Sequence, residues 1–123
     1  MDSLTLERLA ARKCRPCGGQ VPKYAPAEAA AQLASLSGWR LNAAGGSIEK
    51  HWLVKDFSAG IDFLRRIAEL AEAEGHHPDL HLEGYRRVRI ELSTHAIGGL
   101  SENDFILAAK IDQLPVQLKP PLL

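Results

Sequence analysis

The chain has 123 residues, 46% hydrophobic and 24% charged, which suits one folded domain and excludes both a pair of ordinary domains and wholesale disorder. Fifteen basic and fifteen acidic side chains cancel, so the cationic surplus that holds a nucleic acid by counterion release is missing. Two cysteines, Cys14 and Cys17, cannot build a disulfide framework, and no apolar run nears the roughly 20 residues of a membrane span; the expectation is a cytoplasmic protein without nucleic-acid or membrane partners.

In chain order, residues 1–25 read as an N-terminal extension. Leu4, Leu6, Leu9 and Ala10 mark a short helix, and Cys14-Arg-Pro-Cys-Gly-Gly breaks it. Residues 1–24 also carry five basic and two acidic side chains, a local excess inside a neutral chain. Pro26 then opens a helix of strong helix formers that Ser37-Gly38 ends. Trp39 to Asn42 alternates as a short strand, Ala43 to Gly46 turns, and Ser47 to Lys55 returns with Ile48, Trp52 and Val54 on one face.

The longest helix follows. Ser58 is the expected N-cap, Ile61, Leu64, Ile67, Ala68 and Ala71 the expected buried stripe, and Gly75 the stop. Residues 79–94 read as a second hairpin turning at Gly84-Tyr85-Arg86, with Val88, Ile90 and Leu92 inward. Ser101-Glu-Asn-Asp104 is a capping-box variant opening a last helix to Gln113. Residues 115–123, with three prolines, are a tail. The order α-β-β-α-β-β-α over residues 26–114 predicts an α+β domain, a four-stranded antiparallel sheet with helices packed on one face.

Four of the five histidines lie between positions 76 and 95. His76-His77 sits between Gly75 and Pro78 in a constrained helix-to-strand junction, and His95 ends the last strand. One sheet can bring those ends together, the usual place for a site. His51 and His81 read as solvated surface residues. The acids Glu69, Glu72, Glu74, Asp79 and Glu83 around the pair read mainly as a solvated face. Cys14-x-x-Cys17 with His77-x-x-x-His81 has zinc-ligand spacings, but the interval between the pairs is far longer than in a finger. A thioredoxin-like role for the cysteines lacks the following strand-helix context. A zinc site is therefore discounted, and since phosphate-cradling loops, a nucleophile elbow and a dinucleotide fingerprint are absent, nucleotide-dependent chemistry and hydride transfer are not expected.

The run Glu72-x-x-x-His76-His77-Pro78, then Tyr85, His95 and Asp104, resembles the signature of the pterin-4a-carbinolamine dehydratases. Val88-Arg-Ile-Glu-Leu-Ser-Thr-His95 and Gly99-Leu-Ser-Glu-Asn-Asp104 resemble the family's third-strand end and last-helix start. The resemblance implies an α+β fold and dehydration of a 4a-hydroxytetrahydropterin to the quinonoid dihydropterin without cofactors. It also implies a homodimer or homotetramer, and a functional link to an aromatic amino acid hydroxylase. Hydroxide leaves C4a poorly, so an acid must protonate it while a ring proton departs, and imidazoles do both near neutral pH. By resemblance His76 and His95 are general acids, and His77 binds the pterin or assists as base. Asp104 orients a histidine or holds the pocket, while Glu72, Pro78, Ser93 and Thr94 are further substrate-binding or orienting residues. The competing reading is a non-catalytic dimerisation, assembly or transcription-cofactor module on the same fold, a role that needs no three histidines together.

Overall fold

The computed structural model describes residues 4–16 and 21–120. Its elements are α1 (Leu6–Ala11), α2 (Pro26–Leu33), β1 (Arg40–Leu41), β2 (Ile48–Leu53), α3 (Phe57–Glu74), β3 (Asp79–Glu83), β4 (Arg87–Leu92), a 3-10 turn (His95–Ile97) and α4 (Glu102–Asp112). The sheet runs β1-β2-β4-β3 with every neighbouring pair antiparallel. This is the expected α+β fold, with the 3-10 turn as an unforeseen addition.

Alternation decides which face is buried. Ile48 on β2 and Val88, Ile90 and Leu92 on β4 are fully enclosed, whereas Glu49, His51, Arg89 and Glu91 lie on the opposite, wetter face. Enclosing each of those aliphatic side chains stabilises the fold by about 1.5–3 kcal/mol. Lys50 also faces inward, which alternation permits only because its stem packs by Trp52 while its ammonium reaches Asp112 at 2.9 Å. Asp112 accepts the Trp39 indole N–H as well, at 3.1 Å. Trp39, Trp52 and Phe63 stack edge to face behind it. Helix α4 is buried along nearly its whole length, so it is the centre of the helical layer.

Helix α3 keeps only part of its expected face: Ile67 and Ala71 are buried and Leu64 packs half-buried against the core, but Ile61 and Ala68 are not buried. The buried residues are Ala59, Gly60, Phe63, Ile67 and Ala71, while Ile61 is 46% exposed and Ala68 lies outside. Gly60 is the cause. A Cβ there would lie 3.1 Å from Leu82 and 3.3 Å from Val54, so the bare backbone lets the helix settle close to the sheet. A glycine adds nothing to an apolar stripe read from sequence. The cap is also displaced: Asp56, not Ser58, accepts from the Ala59 N–H at 2.8 Å. Gly75 does end the helix, in the left-handed conformation at φ 68°. In the β3–β4 hairpin both Gly84 and Tyr85 have positive φ, the pairing that matches a tight turn to the strand twist.

The first residues do not stand apart as an appendage. Leu9 is completely buried, and the Gln32 side-chain amide pairs with both backbone groups of Leu4, at 3.0 and 2.8 Å. At the other end, Val54 bridges Leu118 and the Lys119 N–H donates to Leu53 at 2.9 Å, so the C-terminal segment continues the sheet side rather than trailing free.

Tyr24 stacks on Phe105 at 4.8 Å, half-buried. Burial first, then the Glu102 and Glu28 carboxylates, push its hydroxyl above the ordinary value of 10.0, against a smaller opposing pull from Arg12. The unfolded chain therefore loses this proton before the folded one does. The resulting stability is complete below the ordinary tyrosine value and is lost as pH rises through the raised one. Tyr24→Phe should flatten that part of the alkaline fall in urea midpoint between about pH 9 and about pH 11; a fall identical to the unsubstituted chain would refute it.

Candidate active site

Three element ends converge. Helix α3 stops at Gly75 and delivers His76 and His77; β4 ends at Leu92 and delivers Ser93, Thr94 and His95; α4 starts at Glu102 and delivers Asp104 from its first turn. Gly75, His76, His77, Ser93, Thr94, His95 and Ala96 line an open cavity of about 250 Å³. A smaller cavity of about 110 Å³, between α3 and residues 115–117, holds no histidine. The candidates separated by up to 19 positions thus share one wall. Pro78 is absent from that lining and stands immediately before β3.

His76 is buried, 5% exposed, and its Nε2 lies 2.6 Å from Asp104 Oδ1. Asp104 is wholly enclosed. Its Oδ2 accepts from the Thr94 hydroxyl at 2.8 Å and from the Ser101 N–H at 3.0 Å. The Ser101 hydroxyl stands 2.7 Å from the Thr94 hydroxyl. Since the Thr94 proton goes to the carboxylate, Ser101 donates to Thr94. A carboxylate ringed by donors assigns the proton of the His76 contact to Nε2.

One motif therefore has two duties. The capping box of α4, in which Ser101 and Asp104 satisfy each other's end of the helix, also presents the Asp104 carboxylate to His76. The link from Ser101 through Thr94 to Asp104 was not read from the sequence; the capping box was the available signal, but nothing in it shows that Thr94 lies beside it.

The other histidines differ in exposure. His77 is 61% exposed at its side chain and meets Glu72 at 3.3 Å, so Glu72 serves His77 rather than His76. The left-handed turn at Gly75 breaks the helical register that would have placed Glu72 under His76. His95 is exposed and opens the 3-10 turn, three residues beyond the end of the strand it was expected to end. Thr94 is fixed beneath it by backbone pairing with Gly99. His51 and His81 lie on the outer side of the sheet, opposite Arg89 from both directions, away from this cavity.

Among the described residues no group of histidine, cysteine and acidic side chains could hold a metal ion. Cys17, one ligand of the sketched zinc site, lies outside the described residues. No described helix is long and apolar enough to cross a membrane.

Comparison with known proteins agrees with this arrangement. The profile of the family described as pterin 4 alpha carbinolamine dehydratase matches residues 22–114. The mitochondrial pterin-4-alpha-carbinolamine dehydratase 2 of Arabidopsis thaliana is 50% identical over 92% of this chain, which spans 62% of that relative's length. A putative pterin-4-alpha-carbinolamine dehydratase of Methylococcus capsulatus is 41% identical, over 89% of this chain and 95% of its own. The crystal structure of a transcriptional coactivator/pterin dehydratase from Brucella melitensis superposes with a TM-score of 0.69 at 31% identity, covering 74% of this chain and 96% of that one. With three histidines around one cavity and a family profile over most of the chain, this protein belongs to the pterin-4a-carbinolamine dehydratase family.

Proposed function

We propose that the chain is a hydro-lyase that removes water from a 4a-hydroxytetrahydropterin to give the quinonoid dihydropterin, by histidine acid–base catalysis. The observation that carries the proposal is the shared cavity of His76, His77 and His95, with His76 anchored on buried Asp104. An imidazolium N–H protonates the C4a hydroxyl as its C–O bond breaks, the N5 lone pair closes the C4a=N5 double bond, and the N5 proton leaves to a base. His76 and His95 are the acids from two sides of the cavity. His77, exposed beside Glu72, contacts the pterin and takes up a proton. Ser93 and Thr94 contribute the strand-end wall. Each positioned proton-transfer group typically contributes about 10²–10⁴ in rate.

Under the same reading residues 26–114 form the dehydratase domain, and residues of the N-terminal extension (1–25) and the C-terminal tail (115–123) pack against it. The domain works as a homodimer or homotetramer. Phe57 and Ile61, one turn apart on α3, are 54% and 46% exposed, and Leu80 on the edge strand β3 is 36% exposed. An uncovered sheet edge with apolar side chains beside it favours association with another copy. The reading puts the reaction in the cytoplasm, beside an aromatic amino acid hydroxylase that releases the 4a-hydroxylated cofactor. Chemistry is favoured over a purely adaptor role because an adaptor surface has no use for three imidazoles around one cavity.

The test is turnover of chemically generated 4a-hydroxytetrahydropterin by the purified chain alone, followed by the absorbance of the quinonoid product, with the mass measured by sedimentation. Acceleration over buffer is expected, in a species of two or four chains. A rate equal to buffer overturns the activity, and a single-chain mass overturns the assembly.

A further inference from the structure

The Cys14-Arg15 segment lies outside the family profile, which begins at residue 22, yet it is bound at both ends of the proposed catalytic pair. On one side the Cys14 N–H donates to Glu74 Oε1 at 2.8 Å. Glu74 is the last residue of α3, two positions before His76, and unlike the solvated acids around it its side chain is only 7% exposed. On the other side Asn103, completely buried, pairs its amide with the backbone of Arg15: Oδ1 accepts from the Arg15 N–H at 2.9 Å and Nδ2 donates to the Arg15 carbonyl at 2.7 Å. Asn103 immediately precedes Asp104. The Cys14 thiol also points to the Asn103 carbonyl at 3.7 Å.

Flanking contacts hold the segment in line. Lys110 of α4 donates to the Ala10 carbonyl at 2.9 Å and lies 3.8 Å from Glu74 Oε2, and Arg12 pairs with Glu102 at 2.7 Å. Beside the Lys110–Glu74 pair, the α3 end and the α4 start are therefore joined directly by His76–Asp104 and indirectly through Glu74, Cys14-Arg15 and Asn103.

We propose that the Cys14-Arg15 segment is a positioning strap for the dehydratase reaction, with Asn103 and Glu74 as its anchors, setting the separation of the α3 end from the α4 start and so the His76–Asp104 contact. The inference rests on the dehydratase reading for its kinetic consequence but not for its geometric one. A hydrogen bond of 2.6 Å is sensitive to small displacements of its carriers, and misplacing a reacting group by about 1 Å from a distance can cost up to about 10² in rate.

The molecule supplies its own control. Gln32 clamps the backbone of Leu4 with the same two-bond amide geometry, on the same N-terminal segment, but anchors it to α2 rather than to α3 or α4. A merely stabilising role predicts the same outcome for Asn103→Ala and Gln32→Ala. A positioning role predicts that only Asn103→Ala lowers kcat, by about tenfold or more with KM within about twofold, and that only it displaces the downfield proton resonance of His76 Nε2–H. Should Asn103→Ala not fold, Asn103→Asp substitutes for it: same size, same acceptor for the Arg15 N–H, but an oxygen facing the Arg15 carbonyl. Wild-type kcat and resonance in the folded Asn103 variant, or an equal kcat loss in Gln32→Ala, overturns the strap. If the unsubstituted chain shows no turnover, the resonance still decides: displaced in the Asn103 variant alone, the strap stands and the dehydratase reading falls; undisplaced, the strap falls too.

Discussion

His95→Ala should lower kcat by about 10²–10⁴ while leaving the unfolding midpoint unchanged, whereas His76→Ala should lower both. The difference comes from burial. His95 is an exposed side chain at the start of a surface turn, so its removal leaves the core intact. His76 is buried on a fully enclosed carboxylate, and deleting it leaves Asp104 with one oxygen facing a void. Breaking a buried pair by removing one partner costs about 3–5 kcal/mol, a large share of the stability of a domain this size. Stopped-flow dehydration rates with urea unfolding on the same preparations separate the two effects. Wild-type rates in the His76→Ala/His95→Ala double variant would end the proposed mechanism, and a stability loss in His95→Ala would show that the turn is structural.

Asp104→Ala should be the most destabilising change at the site. It removes the acceptor for three donors at once: His76 Nε2–H, the Thr94 hydroxyl and the Ser101 N–H. The loss combines a broken buried pair with a lost helix cap, about 3–5 kcal/mol for the first and about 1 kcal/mol for the second. Asp104→Asn separates structure from chemistry. Its carbonyl oxygen keeps the contacts of one side, but its amide must face a donor on the other. With the carbonyl towards Thr94 and Ser101, the amide N–H points at His76 Nε2, which must then accept, so the ring cannot form the imidazolium that serves as the acid. Asp104→Asn is expected to retain more stability than Asp104→Ala while losing at least about 10² in kcat. A folded Asp104→Asn with wild-type kcat would show that the carboxylate only caps the helix.

Much of the layout was open to sequence reading because it follows from local chemistry. Gly75 could stop α3 because glycine takes the left-handed turn without strain, and Ser101 with Asp104 could start α4 because their side chains satisfy neighbouring backbone N–H groups. Alternation in Val88, Ile90 and Leu92 set the inner face of β4 for the same local reason. On α3 the burial of Ile67 and Ala71 is legible in the spacing, but that of Gly60 is not, because its close approach depends on Leu82 and Val54, which are distant in sequence. The N-terminal residues were taken for an extension because a helix of six residues has little stability of its own; it persists through burial of Leu9 and the amide clamps of Gln32 and Asn103.

At the site the division is similar. Residue types and spacing singled out His76, His77, His95 and Asp104, and the family resemblance attached a reaction to them. Which histidine the carboxylate serves was settled by the fold: Asp104 meets His76, Glu72 meets His77, and Thr94 and Ser101 complete the carboxylate's shell. The sequence by itself determined the elements, the family and the acid–base residue types, since caps, alternation and motif spacing act over a few neighbouring residues. Only the tertiary structure decided the hydrogen-bond pairing at the site and the packing of residues 4–16, since those depend on side chains that the chain must fold to bring within 3 Å.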